Sequence, residues 1–240
     1  MNVESLEPYG LALLAYHKGV QDAQLMIRRD DGFESFVPVK HFFREEEDFT
    51  SLEQKAIGHC FGHVLDIGAG TGIHSLALSS GGLNVTAIDI NLNAVNIMLD
   101  RGVRHVSQAD VFQYMGGPYD TLLMLGHGIG IVEHLHGLKK FLGHLERLVK
   151  PGGQLLLDSV DVSRSKLPLD LAYHERNRRA GRYIGEISMQ LQYLVTKGPF
   201  SRWLHIDPGT LKRHAMEAGW NCAIIVENAF GEYLAKLQRV

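Results

Sequence analysis

Apolar residues follow two rhythms along this chain. Short blocks rich in Val, Ile and Leu, at 64–67, 85–90, 119–125 and 154–158, are too short for helices and read as buried strands. Between them apolar residues return every three or four positions. Leu92, Val95, Met98 and Leu99 form one such stripe, and Leu138, Phe141, Leu142, Leu145, Leu148 and Val149 form another. Strands alternating with helices predict an α/β fold in which a parallel sheet is wound on both faces, with ligands at the carboxyl ends of its strands.

The flanks read differently. Leu11, Leu14 and Ala15 predict a short helix, and residues 1–57 are expected to form a helical cap or lid ahead of a core domain over 58–240. Asp30-Asp31-Gly32 marks a turn within that segment. The run Arg44-Glu45-Glu46-Glu47-Asp48 reads as a solvated helix face, and Phe42 and Phe43 either pack in the core or close over a ligand. Over 182–195, Ile187, Met189, Leu191, Tyr193 and Val195 alternate with polar residues, which predicts a half-buried strand inside an insertion at about 161–205. That strand offers an edge for a homodimer. The basic cluster Arg176, Arg178, Arg179 and Arg182 in the same insertion suits either solvent or an anion.

Candidate chemistry begins at Val64-Leu65-Asp66-Ile67-Gly68-Ala69-Gly70-Thr71-Gly72, where a strand ends in an acid and three glycines. Glycine opens backbone angles closed to other residues and lets a ligand approach the main chain. A helix follows from Ile73, so the loop sits at a helix N-terminus suited to a carboxylate or phosphate. A dinucleotide loop wants its third glycine three residues after the second; here that position is Ile73. Asp66 suits the ammonium of an amino-acid moiety whose carboxylate meets backbone amides, which points to S-adenosylmethionine.

These segments resemble the class I S-adenosylmethionine-dependent methyltransferases, from about Val64 to the C-terminus. The resemblance implies a Rossmann-like, seven-stranded, doubly wound sheet, mostly parallel, closed by an antiparallel hairpin at Asn221 to Phe230 and Glu232 to Gln238. Val85-Thr86-Ala87-Ile88-Asp89-Ile90 looks like the family's second strand, whose last acid, here Asp89, binds both ribose hydroxyls. Ser107-Gln108-Ala109-Asp110-Val111 resembles the end of the third, where Asp110 accepts from the adenine amino group. Leu148-Val149-Lys150-Pro151-Gly152-Gly153 resembles the turn into the fifth. The implied cofactor residues are Asp66, Gly68, Ala69, Gly70, Thr71, Gly72, His74, Asp89, Ile90, Asp110, Val111, Leu125 and Gly126, and the implied product is S-adenosyl-L-homocysteine.

Methyl transfer asks mainly for alignment, with a base where the acceptor carries a proton. After the fourth strand comes Gly126-His127-Gly128-Ile129-Gly130, where relatives acting on amino groups of adenine or glutamine carry Asn/Asp-Pro-Pro-aromatic. Its absence argues against such acceptors. His127 is the best-placed titratable side chain, as a base, as an acceptor contact or as backbone lining the methionine end. The other expected readings of the chain are a protein or RNA methyltransferase and a non-catalytic S-adenosylmethionine-binding partner protein.

Composition narrows the setting. The 240 residues, 45% hydrophobic, suit one domain with a sizeable core. A net charge of −3 offers no general field for nucleic acid, so a small-molecule acceptor is expected. No long apolar run or basic leader appears, and a cytoplasmic protein without membrane association is expected. Cys60 and Cys222 read as packed thiols. Among 13 histidines, His59 and His63, and His134 and His136, have ligand-like spacing but lack further ligands nearby, so no metal is expected.

Overall fold

The computed structural model describes residues 3–239. The helices are α1 (Glu7–His17), α2 (Ser51–His59), α3 (Ile73–Ser80), α4 (Leu92–Asp100), α5 (Leu135–Leu145), α6 (Pro168–Arg179) and α7 (Pro208–Glu217). The core strands are β3 (His63–Ile67), β4 (Asn84–Asp89), β5 (Val106–Gln108), β6 (Tyr119–Met124), β7 (Val149–Val160), β11 (Trp220–Glu227) and β12 (Glu232–Arg239). They form one seven-stranded sheet in the order β11-β12-β7-β6-β3-β4-β5. Strands β3 to β7 run parallel, and β12 and β11 add on antiparallel, as expected.

Burial on both faces explains the unbroken apolar strands. Leu65 and Ile67 pack toward α5 and α7 with Leu122, Phe141 and Leu211, while Val64 packs on the opposite face with Leu52, Leu78 and Leu123. Local signals fix the helix starts. The Asn91 side chain accepts from the N–H groups of Asn93 and Ala94 to cap α4, and Thr50 with Glu53 forms a reciprocal capping box on α2. The stripe expected to run to Val149 stops at Leu145, because the Leu148 carbonyl accepts the Tyr119 N–H at 2.7 Å and Val149 already belongs to β7.

Residues 3–57 are less helical than the cap expected over 1–57. After α1 come β1 (Gln24–Arg29) and β2 (Glu34–Pro38), joined through the Asp30-Asp31-Gly32 turn, and the charged run holds only a 3-10 turn, Glu46–Asp48. The insertion supplies β8 (Glu186–Tyr193), β9 (Thr196–Lys197) and β10 (Ser201–Leu204). The two flanks join in a second, antiparallel sheet, β10-β8-β1-β2, with β9 on β8. Strand β8 therefore has β1 on one edge and β10 on the other, and it is not the free edge that a strand-paired dimer needs. The basic cluster is largely spent within the chain: Arg176 pairs with Asp30 and Arg179 with Glu175.

Candidate functional site

The second sheet lies over the carboxyl ends of β3, β4 and β6 and encloses a cavity of about 590 Å³. The turn after β3 forms its floor. Gly68, Gly70 and Gly72 have φ of 69°, 59° and 79°, angles that favour glycine. A Cβ on Gly68 would meet nothing within 4 Å, so the loop offers bare backbone and room to the cavity. Gly72 faces the other way, where a Cβ would strike Val103 and Met98.

Gly68, Ala69, Gly70, Thr71, His74, Asp89, Ile90, Asp110, Val111, Leu125, Gly126 and His127 all reach the cavity wall, whereas Asp66 and Gly72 do not. Asp66 is 2% exposed behind the loop and accepts the Ser75 hydroxyl at 2.6 Å. Four of the loop's amides are also engaged: Gly68 and Ala69 donate to the Ile88 carbonyl, Gly70 to Asp89 and Gly72 to Ala69. The expected ammonium and carboxylate contacts would thus have to share groups already bonded within the chain.

Asp89 ends β4 at 7% exposure. Its Oδ2 accepts the Gly70 N–H and its Oδ1 accepts the Asn91 N–H, and burial nonetheless pushes its carboxyl up to about 6. Asp110 accepts the Phe112 N–H at 2.9 Å, which presents the carboxylate beside Asp89 on the same wall. A third acid on the cavity wall is Glu53. Its Oε1 meets His74 Nε2 at 3.0 Å and Arg44 Nη2 at 2.8 Å. Burial works against its charge, but these partners and the Thr50 N–H hold it well below the usual carboxylate range.

His127 occupies the left-handed region at φ 59° and ψ 29°. Its N–H donates to Asp158 Oδ1 at 2.8 Å, and its Nε2 lies 3.9 Å from Glu232 Oε1. Its ring meets that of His205 edge to face at 5.5 Å. Burial, with His127 nearby, pulls His205 down to about 3, so His205 is neutral. His41 also borders the cavity, and burial lowers its pKa with help from Arg44.

The wall formed by the second sheet was not among the expected site residues. Ile187, Met189 and Leu191 of β8, with Ile27 and Val37 of the N-terminal hairpin and Trp203 of β10, make that wall apolar. The alternation in β8 signalled a half-buried strand, but only its pairing with β1 aims Ile187, Met189 and Leu191 at the cavity. Glu53 was hidden in its capping role, and Phe42 packs on Tyr9 at 5.2 Å while also lining the cavity. The expected ligand-like histidine pairs gather no site of three or more His, Cys, Asp or Glu suited to a metal among the described residues.

Known proteins agree with this geometry. A family model described as a methyltransferase domain matches residues 40–223. A methyltransferase from Bacteroides fragilis, solved with S-adenosyl-L-homocysteine, is 32% identical, covers 100% of this chain and 97% of its own, and superposes with a TM-score of 0.86. The ubiquinone biosynthesis O-methyltransferase of Pseudomonas aeruginosa is 33% identical over 106 residues, 41% of this chain and 44% of that protein. The demethylmenaquinone methyltransferase of Leptospira interrogans is 31% identical over 129 residues, 49% of each. The chain thus spans about half the length of the curated relatives it matches. With the sheet order, the glycine turn and the acids at the ends of β4 and β5 on one wall, the chain belongs to the class I S-adenosylmethionine-dependent methyltransferases.

Proposed function

We propose that this chain methylates a small, largely apolar acceptor, using S-adenosylmethionine held between the glycine turn and Asp89. The observation that carries the reading is the shared cavity: the acids and glycines of the core form one wall, and the histidines with the apolar face of the second sheet form the other.

The residues fit the cofactor. Asp89, on the cavity wall at the end of β4, takes the ribose hydroxyls, and Asp110 takes the adenine amino group. Glu53 rather than Asp66 is the carboxylate available to an ammonium, and Arg44 and His74 beside it suit the neighbouring carboxylate. When bound, the cofactor supplies a methyl group made electrophilic by the sulfonium. The protein's task is to align an acceptor and exclude water, and orientation of this kind supplies on the order of 7 to 11 kcal/mol. His127, on the cavity wall with its Nε2 3.9 Å from Glu232 Oε1, is the side chain we assign to receive the acceptor's proton.

The second sheet covers the cavity, which favours a free small molecule over an RNA or a folded protein. The names of the curated relatives point the same way, since they refer to ubiquinone biosynthesis and demethylmenaquinone. The test is calorimetry with S-adenosylmethionine, S-adenosyl-L-homocysteine and NAD, followed by labelled-methyl transfer into a small-molecule extract. Binding of the adenosyl ligands with label appearing in small molecules is expected. Preference for NAD, label only in macromolecules, or binding without any transfer would each overturn the proposal.

A further inference from the structure

A second chamber of about 440 Å³ lies on the far side of Arg29, Ile187 and His205, which border both cavities. Its other walls come from the end of β7, from α6 and from the loop between β11 and β12. The charged groups of this chamber are already matched. Arg29 is held between Asp31 and Asp170, each at 2.7 to 2.8 Å, with Tyr173 stacked under its guanidinium at 4.4 Å. Asp170 also accepts the Ser165 hydroxyl, Asp161 accepts the N–H and hydroxyl of Ser163, and Arg164 pairs with Glu227.

Beside the unpartnered, buried Nδ1 of His205 stands His174. It is 5% exposed, it lines the chamber, and its imidazole makes no hydrogen bond among the described residues. The ring opens onto the chamber, so a ligand that both donates and accepts there takes the place of water and gains a net hydrogen bond. Burial lowers the His174 pKa although Asp170 opposes the shift, so the ring offers one N–H donor and one nitrogen acceptor. An alcohol, which both donates and accepts, complements it. A carboxylate or ammonium would find no unmatched counter-charge among the side chains just named.

We propose that this chamber is a second binding site, for an uncharged hydroxyl group at the far end of the acceptor, recognised by His174. The inference rests on the methyltransferase reading for the identity of the ligand as acceptor. It assigns to that acceptor a flat apolar head beside Ile187 and Trp203 and a polar terminus beyond Arg29.

The experiment uses the full chain loaded with S-adenosyl-L-homocysteine and three probes of one length: 4-(3-hydroxypropyl)phenol, 4-propylphenol and 3-(4-hydroxyphenyl)propanoate. The hydroxypropyl probe is expected to bind about tenfold tighter than the propyl probe, the value of one net hydrogen bond, and to shift the His174 ring nitrogens in NMR. His174→Leu should erase the difference while leaving 4-propylphenol affinity unchanged, and His174→Gln, which keeps a donor and an acceptor, should restore it. Equal affinities, a preference that survives His174→Leu, tightest binding of the propanoate, or no binding of either neutral phenol would overturn the proposal. The ring signals also report on the chamber in cofactor-free protein. Failure of S-adenosyl-L-homocysteine to bind there, with the His174 shift intact, would overturn the cofactor reading and leave the chamber standing.

Discussion

The N–H of Gly70 donates to the Asp89 carboxylate at 2.9 Å, joining the turn after β3 to the end of β4. The acid that receives the ribose in the proposed complex therefore also holds the glycine turn in shape. Asp89→Ala should lose cofactor affinity by more than its ligand contacts account for. Asp89→Asn, which keeps one acceptor oxygen, should lose less. Calorimetry with S-adenosyl-L-homocysteine separates the two, and equal affinities for the variants and the parent would exclude this role.

The same carboxyl sets a pH dependence. Folded Asp89 titrates at about 6, above the ordinary 3.8, and the charged form is the better acceptor for ribose hydroxyls. Affinity for S-adenosyl-L-homocysteine should be flat above about pH 7 and fall as pH drops through 6, by up to about tenfold per unit. In the absence of cofactor the sign reverses for folding. The native state holds the proton more tightly than the unfolded chain, so this group's contribution to stability declines as pH rises from 3.8 toward 6. An affinity unchanged from pH 8 to pH 5 would contradict the assignment.

Glu53 joins three parts of the molecule: its own helix cap at Thr50, Arg44 of the N-terminal segment and His74 of α3. Removing one member of a buried, hydrogen-bonded set costs on the order of 3 kcal/mol, so Glu53→Ala should lower the thermal midpoint by several degrees. Its folded pKa lies below the unfolded value near 4.5, so its stabilisation is complete above that pH and is lost as pH falls below it. A thermal melt series from pH 7 to pH 3 should show the parent converging on Glu53→Ala at the acid end.

Gly130 backs onto Trp203, part of the apolar wall that the second sheet gives the cavity. A Cβ there would overlap the indole of Trp203, a rigid ring with no slack to yield. Gly130→Ala should displace Trp203, change its fluorescence and cost about 1 to 3 kcal/mol of stability. Cofactor affinity should stay at the parent value, because the displaced wall belongs to the acceptor side.

His127 carries a side chain at a backbone angle that favours glycine. His127→Gly should keep the thermal midpoint close to that of the parent, since relief of about 1 kcal/mol of strain offsets the lost ring contacts. Turnover of any acceptor found should fall by about 100-fold or more with cofactor affinity unchanged. Turnover equal to that of the parent would remove His127 from the chemistry.

The core was legible in the sequence because its signals are local. Val64 to Ile67 is apolar throughout since both faces are covered, and the glycines that follow are required by the angles observed. The setting of Asp66 was not legible, because an acid before a glycine turn has the same appearance whether it lines the cavity or, as here, lies behind the loop on the Ser75 hydroxyl. The acceptor wall was illegible for a different reason. Ile27 and Leu191 become partners only through the β1 and β8 pairing, and nothing near either residue in sequence announces the other.

That pairing has a consequence for the order in which the molecule is completed. Met26 faces Gln192 and Arg29 faces Met189, so the roof of the cavity waits for segments more than 150 positions apart to meet. Pairings of such long sequence separation form late and are slow to nucleate. A growing chain can assemble much of the glycine-turn floor while the cavity still has no ceiling. Hydrogen exchange begun early in refolding should find the amides of β3 and β4 protected before those of β1 and β8.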